Sequence, residues 1–339
     1  MEGKKKTEKT FIGIREIARL ADVSTATVSR VINHPEKCSE KSRSKVEKII
    51  KEYNYVPNES IKRIFSKSSN TIAIFIQDIN NPFYTRLIIE LNNICFKTNY
   101  SLLICNTENN VEKEKAYLEL CLARRCVGII LTEGLSTKLF ENMDIPFVSL
   151  DRNENSHIPC VTSESYNSIR KVVNYLYNLG HRHIAFVGSE QGLCSVEIRF
   201  SGYADEMSGK KLPLLQEYIF REKTALDTRL GKRALQHFLS LPHPPTAVIC
   251  ANDMIALGVI NQAAQMNIEI PHDLSVCGFD HVLDDFLPIP LTTVEQNIPQ
   301  LAQELFNFLI NPDEQAQTKI VDTVFIPGYT CGRAPDPQK

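Results

Sequence analysis

One polar stripe near the N-terminus has side chains suited to reading nucleic acid. In the stretch DVSTATVSRVIN (residues 22–33), Ala26, Ser29, Arg30 and Asn33 recur at i, i+3, i+4 and i+7, which is one face of a helix. Arg30 can bridge O6 and N7 of guanine, while Ser29 and Asn33 can donate to phosphate oxygens. The short side chains of Thr25 and Ala26 permit close approach to base edges at the start of the helix.

Three predicted helices would hold this stripe in place. Residues 14–21 (IREIARLA) have apolar residues at helical spacing, Ser24 is a strong N-cap for a second helix over 25–33, and Ser39 caps a third. Two short helices joined by a tight turn and supported by a third form a helix-turn-helix, whose second helix lies in the major groove of DNA. Periodicity alone leaves open the alternative of a three-helix fragment packed on the rest of the chain.

The charge of the chain is distributed unevenly. Residues 1–67 hold 16 Lys and Arg against 9 Asp and Glu, a net of +7, and the remainder holds 22 against 31, a net of −9. A basic head on an acidic body indicates a head that meets a polyanion. A solubilising tail would account for Lys4 to Lys6, but the other basic residues lie within the patterned segment. Charge and turn spacing together therefore favour DNA.

A short helix and a linker are predicted between head and body. Pro57 ends the preceding helix, Asn58 can cap a new one over 59–65, and SKSSN is typical of a linker. The apolar stripe of this segment includes Ile61 and Ile64, and so short a helix is not stable alone in water. It must pack on a partner or fold when bound. One such partner is the minor groove, where apolar side chains wedge between base steps.

Residues 71–331 alternate apolar runs with helix-length segments. Runs such as TIAIFI, SLLIC, VGIIL, HIAFVG and TAVICA predict a parallel α/β fold. About 260 residues is large for one open sheet, so we expect two lobes with a cleft, divided near CVTSES (160–165). The predicted fold class is therefore multidomain: a small all-α head, a hinge helix, and a two-lobe α/β body with parallel doubly wound sheets.

Polar residues follow several of the predicted strands, where ligands bind in such sheets. Carboxylate, amide and guanidinium groups can bind hydroxyls, and an aromatic ring can cover an apolar face, so the set suits a polyhydroxylated ligand. The alternative is that an Asp or Asn after a strand simply caps the next helix. The candidate residues are Phe83, Tyr84, Asp151, Arg199, Asn252 and Asp280.

The sequence has no GxGxxG, GxxxxGK[ST], GxSxG or HExxH motif, and its ten cysteines have no CxxC spacing. In GHRHI (180–184), Gly180 can close a helix whose C-terminal dipole His181, Arg182 and His183 complement, which is preferable to a metal site. We therefore expect no enzyme activity, no cofactor and no metal. Unpaired thiols, a basic N-terminus without an apolar h-region and no run of about 20 apolar residues predict a cytoplasmic protein.

From about Ile14 to Arg333 the chain resembles the LacI/GalR family of bacterial transcription regulators. The segment from IREIARLADVSTATVSRVIN to NYVPN is similar to the family head, and NNPFY, LGHRHIAFVG, RFSGY, CANDMIALG, SVCGFD and PLTTVEQN resemble its body motifs in order. The resemblance implies a periplasmic-binding-protein-like body and a homodimer on a near-palindromic DNA operator. The implied domains are a head (12–57), a hinge and linker (58–70) and an effector-binding and dimerisation domain (71–333), with one lobe about 71–161 and 293–317 and the other about 162–292 and 318–333.

The resemblance also implies roles for individual residues. Base contacts fall to Thr25, Ala26 and Arg30; phosphate contacts to Ser29, Asn33, Lys37, Ser39 and Ser42; the hinge to Asn58, Ile61 and Ile64; and effector contacts to Asp151, Arg199, Asn252 and Asp280, with Phe83 and Tyr84 at the cleft rim.

Three departures from the family pattern matter. Asp22 stands where Gly is usual in the turn, a position that needs positive φ and that Asp tolerates better than most residues. In the hinge, Ile61 replaces a small Ala and Ile64 replaces Leu, giving a stiffer wedge. Glu164-Ser165 replaces the usual Asp-Asn, which argues against an effector identical to that of any relative.

The function predicted is a DNA-binding regulator, a repressor, whose operator affinity is switched by a sugar or sugar phosphate between the lobes. The alternative is a cytoplasmic solute-binding or α/β enzyme domain with a helical head that does not bind DNA. A nucleobase or a phosphoprotein corepressor remains open as the effector class. The sign of regulation and the choice of dimer or tetramer also remain open.

Overall fold

The structure is a computed structural model in which the chain divides into two compact units between residues 68 and 69. The structure describes residues 12–53, 55, 69–132, 145–151, 158–190, 193–284, 286–311 and 318–335, with the side chain of Asn33 left out.

The first unit contains the three predicted helices, α1 (Ile14–Ala21), α2 (Thr25–Asn33) and α3 (Glu40–Glu52), with a 3-10 turn at Pro35–Lys37. Each pair of helices is in contact, and they share a small apolar core. Its fully buried members are Ile17, Ala18, Ala21, Val28, Val31 and Val46. These apolar positions have helical spacing, which explains why the sequence pattern identified the helices correctly.

The turn between α1 and α2 depends on Asp22. This residue adopts the left-handed conformation (φ 53°, ψ 53°) as the C-cap of α1. The N–H of Val23 donates to the carbonyl of Ala18 over 3.0 Å, which satisfies a carbonyl at the helix end. The predicted positive φ at this position is therefore confirmed.

The second unit begins with a six-stranded parallel sheet, ordered β2-β1-β3-β4-β5-β11. Its strands are β1 (Thr71–Ile76), β2 (Ser101–Asn106), β3 (Gly128–Leu131), β4 (Phe147–Leu150), β5 (Cys160–Ser163) and β11 (Thr318–Val321). Helices α4 (Pro82–Lys97), α5 (Val111–Arg124) and α10 (Ile298–Ile310) complete this first lobe. Alternate residues of β1 enter two different apolar clusters, because successive side chains of a strand point to opposite faces.

A second lobe is built on a four-stranded parallel sheet, ordered β7-β6-β8-β9. Its strands are β6 (Ile184–Ser189), β7 (Ile219–Glu222), β8 (Ala247–Cys250) and β9 (Ser275–Cys277), and its helices are α6 (Tyr166–Asn178), α7 (Cys194–Gly209), α8 (Thr228–Leu239) and α9 (Asp253–Gln265), with a 3-10 turn at Gln216–Tyr218. Strand β10 (Thr293–Gln296) pairs antiparallel with β12 (Thr323–Ile326) and bridges to Asp280 beyond β9. The two-lobe α/β architecture is as predicted.

The lobe boundaries differ from those predicted. Residues 318–321, expected in the second lobe, form β11, which pairs in parallel with β5 (Thr318 opposite Cys160) in the first sheet. Residues 293–296, expected in the first lobe, form β10 and bridge to the second. The chain therefore passes between the lobes after β5, after β10 and after β11. Within the described residues, no helix is long and apolar enough to cross a membrane.

Candidate DNA-reading face and ligand cleft

The local sequence of α2 presents one face to solvent and buries the other. The hydroxyl of Ser24 accepts from the N–H of Thr27 over 3.1 Å, which starts the helix at Thr25. Val28 and Val31 enter the head core, whereas Thr25, Ala26 and Arg30 are exposed. The structure therefore brings the three predicted base-reading residues onto one open surface.

Arg30 differs from Arg19 and Arg43 of the head. Arg19 is paired with Glu16 at 2.6 Å and Arg43 with Glu47 at 2.7 Å, each on its own helix. In the part of the chain that the structure describes, Arg30 makes no ion pair. Its guanidinium is exposed, so it can approach a base edge without breaking an existing pair.

The predicted phosphate contacts are placed only in part. Lys37 is exposed at the 3-10 turn, and Ser29 is half-buried on α2. The hydroxyl of Ser39 caps α3 by accepting from the N–H of Ser42 and donates to the Ser42 hydroxyl over 2.9 Å. Outside the described residues lie the side chain of Asn33 and the hinge residues Asn58, Ile61 and Ile64, whose roles stay predictions.

In the body, Arg199 of α7 is the centre of the candidate ligand site. Its side chain is almost fully buried, and its Nη1 donates to the carbonyl of Ala251 over 2.6 Å. The guanidinium lies 3.7 Å from the ring centroid of Phe279 and 3.9 Å from Oδ1 of Asp280. Its Nε approaches the hydroxyl of Ser165 at 3.5 Å. These contacts fix the guanidinium at the carboxyl ends of the second-lobe strands.

Asp280 lies on a strained turn. Asp280 (φ 118°) and His281 (φ 57°) are consecutive residues with positive φ, each of which costs on the order of 1 kcal/mol or more. The carboxylate accepts from the amide of Gln296 over 2.6 Å, and the amide oxygen of Gln296 accepts from Ser163 over 2.5 Å. Because Ser163 ends β5 of the first sheet, this chain of hydrogen bonds joins the two lobes.

Asp151 reaches the same region from the first lobe. It follows β4 in the left-handed conformation (φ 59°), and its Oδ1 accepts from the hydroxyl of Thr162 over 2.8 Å. Burial raises the pKa of Asp151, while the positive charge of Arg199 acts in the opposite direction. The lobes thus contribute one carboxylate each to the surroundings of a single guanidinium.

Burial raises the pKa of Asp280 to about 7, although Arg199 and the Gln296 hydrogen bond oppose this shift. The neighbouring Asp253 has its pKa raised to about 8 by burial and by the charge of Asp280. Its two carboxylate oxygens accept from the Thr293 hydroxyl over 2.6 Å and from the N–H of Val282 over 2.8 Å. Burial therefore favours the protonated forms of both residues.

Two other predicted effector residues have structural roles in the body. Asn252 caps α9: its Oδ1 accepts from the N–H of Ile255 over 2.9 Å and its amide donates to the carbonyl of Leu226 over 3.1 Å. The helix-cap alternative therefore describes Asn252 correctly. Phe83 is buried in the body core rather than open at a rim, with its ring edge-on to half-buried Tyr84 at 5.5 Å.

Sequence reasoning missed Ser163 and Gln296, which sit at strand ends like the residues it selected. The described residues also form a cavity of about 230 Å³ beside the turn, and of the predicted effector set only Asp280 lines it. The lining consists of Arg86, Ile89, Glu90, Asp280, His281, Glu295, Gln296, Ile298 and Pro299.

The GHRHI segment closes α6, but its first histidine does not complement the helix dipole as predicted. His181 is buried between the Thr246 hydroxyl (2.8 Å) and the carbonyl of Gly332 (3.1 Å), and burial lowers its pKa, which favours the neutral ring. Arg182 instead donates to the carbonyl of Tyr177 over 3.0 Å. Arginine is thus the cation at this helix end.

Comparisons with known proteins agree with the division into head and body. Residues 13–58 match the family described as bacterial regulatory proteins, lacI family, and residues 173–331 match a periplasmic binding protein-like domain. The HTH-type transcriptional repressor CytR of Escherichia coli is 30% identical over 315 residues, 91% of this chain and 92% of that protein.

Solved structures share the fold. The lac repressor dimer bound to operator and the anti-inducer ONPF has a TM-score of 0.83 at 23% identity, with 95% of this chain and 99% of that chain covered. A periplasmic binding protein/LacI transcriptional regulator from Alkaliphilus metalliredigens, complexed with D-xylulofuranose, has a TM-score of 0.71 at 25% identity, with 78% and 99% covered.

The raised pKa of Asp280 predicts how stability depends on pH. The folded chain holds a proton on this residue up to about pH 7, whereas the ordinary pKa of an aspartate, which the unfolded chain has, is 3.8. The free energy of unfolding should therefore fall as pH rises from about 4 to about 7, by roughly 1 kcal/mol per pH unit for one proton. Asp280→Asn should reduce this slope in urea unfolding followed by circular dichroism, and the raised pKa of Asp253 should leave part of it in place.

Glu190→Gln provides the matched control, because it removes one carboxylate from an exposed position. It should leave the slope as in the parent chain. An Asp280→Asn protein with the parental slope would show that Asp280 is ionised throughout this range.

Proposed function

Because the chain belongs to the lacI family of bacterial regulatory proteins, we propose that its head reads operator DNA through Thr25, Ala26 and Arg30. The chain is a DNA-binding transcription regulator with an effector-binding domain, and it is not an enzyme. The observation that carries the assignment of the reading residues is the exposed face of α2, on which Arg30 has no ion pair among the described residues. We propose that it acts as a repressor in the cytoplasm.

Operator binding would combine base contacts, phosphate contacts and a hinge in the minor groove. Arg30 can take the bidentate guanine contact, worth about 1–3 kcal/mol of discrimination against a wrong base. The side chains of Thr25 and Ala26 are short, so they allow close approach to the bases and contact few polar base edges. Ser29, Asn33, Lys37, Ser39 and Ser42 would supply sequence-independent phosphate contacts. Asn58, Ile61 and Ile64 would form a hinge in the minor groove.

Arg30→Ala should lose operator preference but keep weak, salt-sensitive binding. On an operator selected in vitro by the parent protein, we expect the ratio of operator to scrambled-DNA affinity to fall about 5- to 150-fold. Competition fluorescence anisotropy at fixed salt measures this ratio. Arg19→Ala removes the same charge from an ion-paired position of α1 and should leave the ratio intact. Unchanged selectivity in Arg30→Ala would remove it from the reading face.

We propose a sugar or sugar phosphate as the effector, bound near Arg199, Asp280 and Asp151. Buried carboxylates accept hydrogen bonds from hydroxyls, and the guanidinium can donate to ring or phosphate oxygens. The D-xylulofuranose complex of the Alkaliphilus metalliredigens protein supports the sugar class. A phosphoprotein corepressor is the competing effector class.

Thermal-shift measurements against matched pairs (ribose and ribose 5-phosphate, glucose and glucose 6-phosphate, cytidine and cytidine monophosphate) test the effector class. A ligand at 100 times its Kd stabilises the folded chain by about 2.7 kcal/mol. We expect a sugar or sugar phosphate to raise the melting temperature, and Arg199→Lys to abolish that rise. Arg170→Lys, at an exposed position that forms an ion pair with half-buried Glu206, is the control. Stabilisation by cytidine alone, or by none of these compounds, would refute the sugar proposal.

We propose a homodimer in which α4 and the edge strand β2 contribute to the contact. Phe96 of α4 is 82% exposed, and Ile89, seven residues earlier on the same face of the helix, is 52% exposed. Ile104 of β2 adds a third exposed apolar side chain, and β2 ends the six-stranded sheet. Exposed apolar surface of this kind marks association sites when it is contiguous.

Phe96→Glu should weaken the dimer, because a carboxylate would have to be buried at an apolar contact. Sedimentation velocity should show at least a tenfold rise in the dimer dissociation constant, about 1.4 kcal/mol. Met266→Glu places the same charge on an exposed apolar position of the second lobe and serves as control. Equal effects of the two substitutions would place the contact elsewhere.

A further inference from the structure

The turn that carries Asp280 is held by an arginine of the other lobe. Arg86, on α4, donates from Nη1 to the carbonyl of His281 over 2.7 Å and from Nη2 to the carbonyl of Val282 over 3.4 Å. These positions are 195 and 196 residues apart in the chain. A single side chain is thus hydrogen-bonded to the backbone immediately after Asp280.

The N–H groups of the same turn are held from the opposite side. The N–H of Asp280 donates to the carbonyl of Val294 over 2.8 Å, and that of Val282 donates to the carboxylate of Asp253 over 2.8 Å. Donors of the turn are therefore satisfied by the second lobe and β10, and acceptors by α4. The positive φ of Asp280 and His281 is consistent with a turn fixed from both sides.

Apolar side chains connect α4 and the turn elsewhere, since Leu87, Ile88 and Val282 belong to one buried cluster. Arg86 and His281 both line the cavity of about 230 Å³ beside the turn. An unfilled space has no side-chain contacts across it, so the hydrogen bonds of Arg86 are the connection there. Glu90, Glu295 and Asp280 line the same space.

We infer that Arg86 is a positioning residue that makes α4 and the Asp280 turn move together. A ligand that binds Asp280 and shifts its turn would then also shift α4 of the first lobe, through the hydrogen bonds of Arg86 to the His281 and Val282 carbonyls. The meaning of this coupling for regulation rests on the proposed function. The coupling itself is a property of the ligand-free body, so it is tested without DNA or effector.

Hydrogen–deuterium exchange of the full chain tests the positioning role. Arg86→Met keeps the length of the side chain and removes its donors. We expect exchange in the peptide over 278–284 to accelerate about fivefold or more, with the head peptides over 14–53 and the melting temperature unchanged. Arg86→Lys, which keeps the charge and one point donor, should recover part of the protection. Arg124→Met, at an exposed position of α5, is the control.

A double-substitution comparison tests the coupling. Asp280→Ala breaks the hydrogen bond from Gln296 and should accelerate exchange at the start of α4 (82–91). In the Arg86→Met background the same substitution should have a much smaller effect on α4, because the direct link from the turn to α4 is already cut. Arg86→Gln replaces Arg86→Met if the latter precipitates.

Three results would overturn the inference: unchanged exchange over 278–284 in Arg86→Met, acceleration spread evenly over the body, or an equal effect of Asp280→Ala on α4 with and without Arg86. Failure of the DNA or effector proposals would leave all three measurements unaffected. The two sets of proposals are therefore distinguishable.

Discussion

The arrangement of the body depends on one buried guanidinium. Arg199 is withdrawn from water, which is tolerable only because a carbonyl, an aromatic face and carboxylates of both lobes surround it. Its position on α7 fixes where Asp280 and Asp151 come together. Removing the cation would leave buried carboxylates without a countercharge, so they would be neutralised or hydrated. The hydrogen bonds and charges around Arg199 can therefore be satisfied only when the two lobes are packed together.

The chain passes between lobes beside that centre. Ser163 ends β5 just before one crossing, and Gln296 ends β10 just before another. The hydrogen bond between Ser163 and Gln296, continued from Gln296 to Asp280, connects the ends of two crossing segments to the Asp280 carboxylate. Arg86 adds a second, separate link between the first lobe and the same turn. A change at Asp280 therefore reaches the first lobe by two routes.

The sequence predicted local features well. Periodicity and capping identified α1, α2 and α3, and the cap hydroxyls of Ser24 and Ser39 accept the hydrogen bonds expected of them. Apolar runs located the strands, and polar residues at strand ends located Asp151 and Asp280. These signals are local because a cap or a buried face is decided within a few residues.

What the sequence could not predict depends on distant pairing. Strand β11 joins the first sheet by pairing with β5, with Thr318 opposite Cys160. The two strands are more than 150 positions apart in the sequence. The pairing of Gln296 with Ser163 spans 133 positions, and nothing in either neighbourhood marks it. Asn252 was ambiguous from the start, since capping and ligand binding require the same residue type at the same place.

The energy needed for regulation is small compared with the interactions at this turn. An effector that changes operator affinity 100-fold needs about 2.7 kcal/mol of differential affinity for the two states. One hydrogen bond to a charged group contributes roughly 1.5–3 kcal/mol. A ligand that makes or breaks a single contact of Asp280 in only one lobe arrangement would therefore suffice. Gln296 donates to the carboxylate of Asp280, and Arg86 donates to the carbonyl of the next residue. Because these contacts fix the turn, two arrangements of the lobes can be distinct even if they differ in only a few contacts.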